Sequence, residues 1–262
     1  KKTKPNESSA MARGKGSKAR NKASTALSRN GDPGAASPQG SDLQTAFATA
    51  ISALQSGELK HAAIQFGFCY VAAEIALPHQ EPEMQINLRQ YLWQCALYRA
   101  ACLATFEGKE EREEALKCLR HCIQIAEALD DTEKLVEALG LVASLQARMG
   151  LAKDALIEID RLSALAQEHS LRDSEQMALV HKGTALTALG RHTEALEALT
   201  RAVTMGAEAG DTRAEGNACI ELAKACSAGG DRPGGLRAAR RALQLAESEE
   251  SFERVQFVQK QV

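Results

Sequence analysis

Cys118, His121 and Cys122 are the densest group of metal-ligating side-chain types in the sequence. Thiolate and imidazole are zinc donors. On a helix, Cys118 and Cys122 would share a face, with His121 aimed one residue aside. A structural zinc site takes four ligands, usually from two segments, and no second cluster stands at a suitable spacing. These residues are therefore expected to be core thiols with no metal. Cys219 and Cys226 lie two turns apart on one helical face and read the same way. Cys69, Cys95 and Cys102 complete an odd count of seven, each inside an apolar helical pattern. The six histidines, His61, His79, His121, His169, His181 and His192, are scattered and fit no catalytic triad spacing. No phosphate loop, dinucleotide fingerprint, HExxH or nucleophile elbow occurs. Gly14-Lys15-Gly16-Ser17 lacks the first glycine, the flanking strand and the following helix of a phosphate loop. The expectation is a chain with no catalytic residue, no metal and no cofactor.

The 262 residues are 44% hydrophobic but only 4% aromatic. A core must then be built from alanine and leucine, which favour helix, while strand-favouring residues are sparse. No window shows sustained alternation, so the fold class is all-α. No apolar run is long enough to span a bilayer, and no apolar core follows the basic Lys1-Lys2-Thr3-Lys4 as in a secretory signal. No membrane insertion is expected. Buried reduced thiols without a secretory signal imply the cytoplasm, with nuclear or cytoskeletal association as variants. Lys1 in place of Met points to a fragment, a processed form or an extended gene model, and Met11 would serve as a second start.

Charge is uneven. Residues 1–40 carry nine Lys or Arg against Glu7 and Asp32, a balance of +7, while the whole chain carries −2. The rest is therefore at −9. Residues 1–41 are rich in Lys, Ser, Gly, Asn and Pro and poor in large apolar side chains, which predicts a disordered basic tail. Its run from Arg13 to Lys22 could touch nucleic acid, and nucleic acid is expected only there, because the body is acidic.

From Ser41-Asp42, a helix-start signal, residues 42–262 read as one helical domain of about five helix pairs plus a C-terminal helix. The predicted helices are 42–56, 58–76, 82–107, 111–129, 131–149, 151–168, 173–189, 191–209, 212–228, 233–248 and 250 onward. Tyr91, Trp93 and Tyr98 fall in the long third helix, close to Phe106, and Trp93 is expected to anchor the core of an irregular first unit.

Repetition carries the most information. Gly150, Gly190 and Gly230 recur every 40 residues, each before a similar phrase that runs through Ala155-Leu156, Ala195-Leu196 and Gly235-Leu236. Ala115-Leu116 fits the register one interval upstream, and Gly57-Glu58-Leu59 opens a looser copy. Glycine suits the left-handed residue that ends a helix. A small residue, Ala115, Ala155, Ala195 or Gly235, then stands where two helices cross. A core leucine is expected next: Leu116, Leu156, Leu196 and Leu236. The same face continues through Leu119, Ile159, Leu199 and Ala239, then Cys122, Leu162, Ala202 and Ala242. In the first helices, Ala143, Gly183 and Ala223 align as small contacts. Leu139, Leu179 and Cys219 align as core, as do Leu145, Ala185 and Ala225. One hairpin cannot bury such a stripe, whereas stacked hairpins can.

The spacing of Ala143, Gly183 and Ala223 from Ala155, Ala195 and Gly235 resembles the tetratricopeptide repeat (TPR). The 40-residue period is similar to the longer repeats of spindle-orientation adaptors, rapsyn and kinesin light chains. The likeness covers residues 111–250 well and 42–110 loosely, without the repeat's usual aromatic and with little of its terminal proline. It implies a right-handed superhelical solenoid of antiparallel helix hairpins whose first helices line a groove. The groove positions would be Gly140, Ser144 and Arg148, then Met177, Val180 and Thr184, then Asn217, Ile220 and Lys224. Only Asn217 and Lys224 have the types with which chaperone-binding members grip a C-terminal carboxylate, so no complete clamp is expected. The resemblance implies a non-catalytic adaptor or scaffold that binds extended or helical segments of other proteins. The alternatives are a structural subunit of a large cytoskeletal or ciliary assembly, and a nucleic-acid-associated factor led by the basic tail.

Overall fold

The computed structural model describes residues 40–248; the expected disordered tail lies outside them except for Gly40 and Ser41, which are helical, and the helix from 250 onward lies outside them. The described residues form ten α-helices and no strand. They are α1 Gly40–Gln55, α2 Leu59–Ala76, α3 Pro82–Ala104, α4 Lys109–Leu129 and α5 Thr132–Arg148. They continue as α6 Ala152–Glu168, α7 Arg172–Ala188, α8 His192–Ala209, α9 Thr212–Ala228 and α10 Arg232–Ser248. A single 3-10 turn, Leu77–His79, follows α2. The chain divides into two compact units between Cys95 and Ala96, inside α3.

In the first unit, α1 packs on α2. Phe47, Phe66 and Tyr91 form an aromatic cluster, with ring centroids 5.5 and 5.3 Å from Phe47. The Tyr91 hydroxyl donates to the Leu43 carbonyl at 2.8 Å. Trp93 is buried, as expected of a core anchor.

In the second unit each helix packs on the next from α4 to α10, and α7 also touches α5 and α9. The turns share one construction. Asp130, Gly150, Ser170, Gly190, Gly210 and Gly230 all have φ between 52° and 82°, one left-handed residue every twenty. The amide of the residue after each bonds a carbonyl five residues back: Asp131 to Ala126, Leu151 to Gln146, Leu171 to Ala166, Arg191 to Leu186, Asp211 to Gly206 and Asp231 to Cys226, at 2.8 to 3.0 Å. This is the six-to-one bond of a Schellman cap. Asp131 and Asp211 then cap the next helix, accepting from Lys134 N–H and from Arg213 and Ala214 N–H.

The core stripe follows the repeat. Ala115, Ala155, Ala195 and Gly235 are buried, as are Leu119, Ile159, Leu199 and Ala239 and then Cys122, Leu162, Ala202 and Ala242. Ala143, Gly183 and Ala223 are buried against their neighbours. One expectation fails in part. The leucine after each small residue is buried only at Leu116; Leu156 and Leu196 are half-buried and Leu236 is 52% exposed. That position lies 100° round the helix from the crossing point, at the margin of the packed face. Leu179 is likewise half-buried rather than core, while Leu139 and Cys219 are buried. All seven cysteines are buried free thiols.

Candidate functional site

The helices that precede the glycine turns at 150, 190 and 230, α5, α7 and α9, present side chains to a common cleft of about 480 Å³ within the second unit. Four residues come from each: Ala143, Ser144, Ala147 and Arg148; then Val180, His181, Thr184 and Ala188; then Asn217, Ile220, Glu221 and Lys224. The repeat explains the register. Ser144, Thr184 and Lys224 are forty residues apart, as are Val180 and Ile220, so each helix turns an equivalent face inward.

Seven of the nine groove positions expected from the sequence line this cleft: Ser144, Arg148, Val180, Thr184, Asn217, Ile220 and Lys224. Gly140 and Met177 do not. Gly140 is buried, and a Cβ built on it would lie 3.1 Å from the Met177 methyl and 3.6 Å from His181 Nε2. The absence of a side chain at Gly140 lets Met177 and His181 lie over α5. Sequence reasoning missed five lining residues: Ala143, Ala147 and Ala188, and the polar His181 and Glu221, which stand one residue after Val180 and Ile220. The last two could have been found by taking the inward face as two adjacent residues per turn.

The cleft is mixed in character. Ala143, Ala147, Val180, Ala188 and Ile220 supply apolar surface. Arg148 donates to the Ala104 carbonyl at 2.8 Å, which fixes its guanidinium at one edge. Glu221 pairs with Lys224 at 2.9 Å and accepts from the Thr184 hydroxyl at 3.4 Å. Thr184 also donates to the Val180 carbonyl at 3.0 Å. Asn217 is exposed.

Burial holds the His181 imidazole below its usual pKa of 6.5, against the smaller opposing pull of Glu221. Desolvation disfavours the imidazolium, so the neutral ring is the folded form. In the unfolded chain the ring takes up a proton more readily. Its contribution to stability is thus complete above pH 6.5 and is lost as pH falls from there toward the lowered folded value. Thermal melts across that window are expected to show His181→Gln losing less stability on acidification than the native chain. Equal losses would remove His181 as the source.

A smaller hollow of about 300 Å³ lies between the start of α7 and the end of α8, lined by Arg172, Glu175, Arg201 and Met205 among others. Arg201 pairs with Glu175 there at 2.8 Å. Among the described residues no group of three His, Cys, Asp or Glu side chains could hold a metal ion. At the sequence's densest candidate, Cys118 and Cys122 are buried while His121 is exposed. No helix among the described residues is long and apolar enough to cross a membrane.

Comparisons with known proteins agree with this architecture. The family model described as anaphase-promoting complex subunit 5 matches residues 79–148 and 172–225, a little under half of the chain. No curated protein matches the sequence. A putative kinesin light chain from Podosopora anserina with nearly identical TPR-like repeats is 17% identical, with a TM-score of 0.55 over 80% of this chain and 97% of that one. BtubC (BKLC) from P. vanneervenii is 13% identical, with a TM-score of 0.59 over 81% and 83%. PlcR from Bacillus thuringiensis, solved in complex with the peptide PapR7 and DNA, is 14% identical, with a TM-score of 0.55 over 84% and 74%. The chain is a TPR-like helical repeat protein with repeats of about forty residues.

Proposed function

We propose that this protein is a non-catalytic adaptor that holds a segment of a partner protein in the cleft of α5, α7 and α9. The observation that carries the reading is the cleft itself: three successive repeats contribute equivalent faces to one cavity of about 480 Å³. An apolar strip edged by Ser144, Thr184 and Asn217 suits a chain segment that buries small side chains and meets hydrogen-bonding groups at its margins. The Glu221–Lys224 pair and the tethered Arg148 set charges of both signs along it, a pattern that selects by charge order and not by net charge. PlcR, which shares the fold, is seen with a bound peptide, and that precedent favours a peptide-like occupant here.

The test is a displayed peptide library selected on the full chain. Selected sequences are expected to bind the native protein at least tenfold more tightly than Val180→Glu, because an unpaired carboxylate would be placed on the apolar strip. Helical content should be unchanged in the variant, since Val180 is only half-buried. Equal binding by the two would place recognition elsewhere.

A second reading has its own support. The match to the anaphase-promoting complex subunit 5 model favours a chain built into a large assembly through its outer surfaces. In that case Val180→Glu would leave co-purification with the assembly intact. The nucleic-acid reading rests on residues 1–41, nearly all of which lie outside the described structure.

A further inference from the structure

α2 has no polar face. One side, Ala62, Ala63, Phe66, Cys69, Ala73 and Ala76, is buried. The other carries Ile64, Phe68, Val71 and Ile75 at 53, 41, 40 and 52% exposure. A helix at the surface of a protein normally turns a charged face outward. The large apolar residues exposed in the second unit, Leu141, Leu151, Ile157 and Leu236, fall at no such spacing.

The intervals along the α2 stripe are four, three and four residues, the spacing of core positions in a two-stranded coiled coil. The order of intervals reads the same in both directions. A second α2 laid antiparallel therefore brings Ile64 opposite Ile75 at each end and Phe68 opposite Val71 twice in the middle. Every apolar residue meets an apolar residue, as a two-fold interface requires. Gly67 and Ala72 flank the seam and leave room for the helices to approach.

The charges of α2 point the same way. Its only charged residues are Lys60 in the first turn and Glu74 in the last. A cation near a helix N-terminus and an anion near a C-terminus both oppose the helix's own dipole. An antiparallel copy reverses this, since Glu74 of the second copy comes to the end that carries Lys60, and the two dipoles run in opposite directions.

We infer that two copies of this chain associate through an antiparallel pairing of their α2 helices along Ile64, Phe68, Val71 and Ile75. The surface belongs to the first unit and is separate from the α5–α7–α9 cleft, so the inference stands without the adaptor reading.

Sedimentation equilibrium of the full chain tests it. The native protein is expected at twice the mass of one chain, and Phe68→Glu at the mass of one chain with unchanged far-UV circular dichroism. Should Phe68→Glu lose helicity, Ile64→Lys and Ile75→Lys introduce charge at positions more than half exposed and are expected to give single chains. Lys60→Glu and Glu74→Lys should each weaken association several-fold, and the two together should restore it, which a parallel pairing would not produce. A native protein that stays at single-chain mass up to high concentration overturns the inference, and in that case residues of its own chain outside 40–248 become the candidates to cover the stripe. A two-chain mass that survives both Phe68→Glu and the lysine variants overturns it equally.

Discussion

Replacing Gly183 by alanine is expected to destabilise the second unit by about 2 kcal/mol, although the substitution favours helix locally. A Cβ at this position would lie 2.3 Å from Leu199 Cγ and 2.8 Å from both of its methyl carbons. Leu199 is fully buried and meets the new atom at its branch point, so it cannot swing aside. Overpacking of this kind costs about 3 kcal/mol, the upper end of its usual range. The gain in helix propensity from glycine to alanine offsets about 1 kcal/mol. Leu199→Ala alone should cost about 3 kcal/mol through the cavity it leaves. In that background Gly183→Ala should become neutral or stabilising, because the obstructing atoms are gone. The two changes thus form a double-mutant cycle with a large favourable coupling. Urea unfolding of the four proteins measures it, and additive effects would mean that α7 and α8 do not meet at this crossing.

The second large effect is expected at Ile159. It is fully buried in a cluster whose other buried members are Ala143, Ala152, Ala155 and Ala185. Ile159→Ala should cost about 4 kcal/mol, toward the upper part of the range for such truncations. The reason is the company it keeps. Apart from the half-buried Leu156 and Leu189, its neighbours in the cluster are alanines, which have no rotamers with which to fill a void, so most of the cavity stays open unless whole helices shift. Ile159→Val should cost only about 1 kcal/mol. Stability in a repeat array is a sum of terms within units and between neighbours. Hydrogen exchange should therefore quicken in α5, α6 and α7 well before α9 and α10. Uniform quickening over the whole unit would show one indivisible core instead.

The helices and their order were legible in the sequence because alanine and leucine recur at intervals that only a stacked hairpin can bury. The glycines at 150, 190 and 230 marked three of the turns, and their positive φ values show why. The other set was legible only as breaks between the predicted helices, at 129/131, 168/173 and 209/212, and its shared conformation was not. Asp130 and Ser170 adopt the same left-handed conformation as Gly210 without being glycine, so the twenty-residue sub-period is written in backbone geometry more than in residue type. The site divided along similar lines. Side chains that point straight into the cleft, such as Val180 and Asn217, follow from helical phase. Whether a neighbour one residue on also faces the cavity depends on how far each helix is rotated about its axis. That rotation is set by which crossing residues are small, as at Gly140 under Met177 and His181. The apolar stripe of α2 was present in the sequence too, but a helix apolar on both sides reads as core until its exposure is measured.

The six left-handed turns have a consequence for how such a protein changes length. Each is closed by hydrogen bonds that reach no more than five residues back along the chain. A crossover between any two equivalent turns would therefore rejoin ends of matching shape. The gene can gain or lose whole hairpins with the turns unchanged wherever the newly adjoining faces match in their small and large residues, and each pair of turns added or removed would extend or shorten the row of inward faces by one helix.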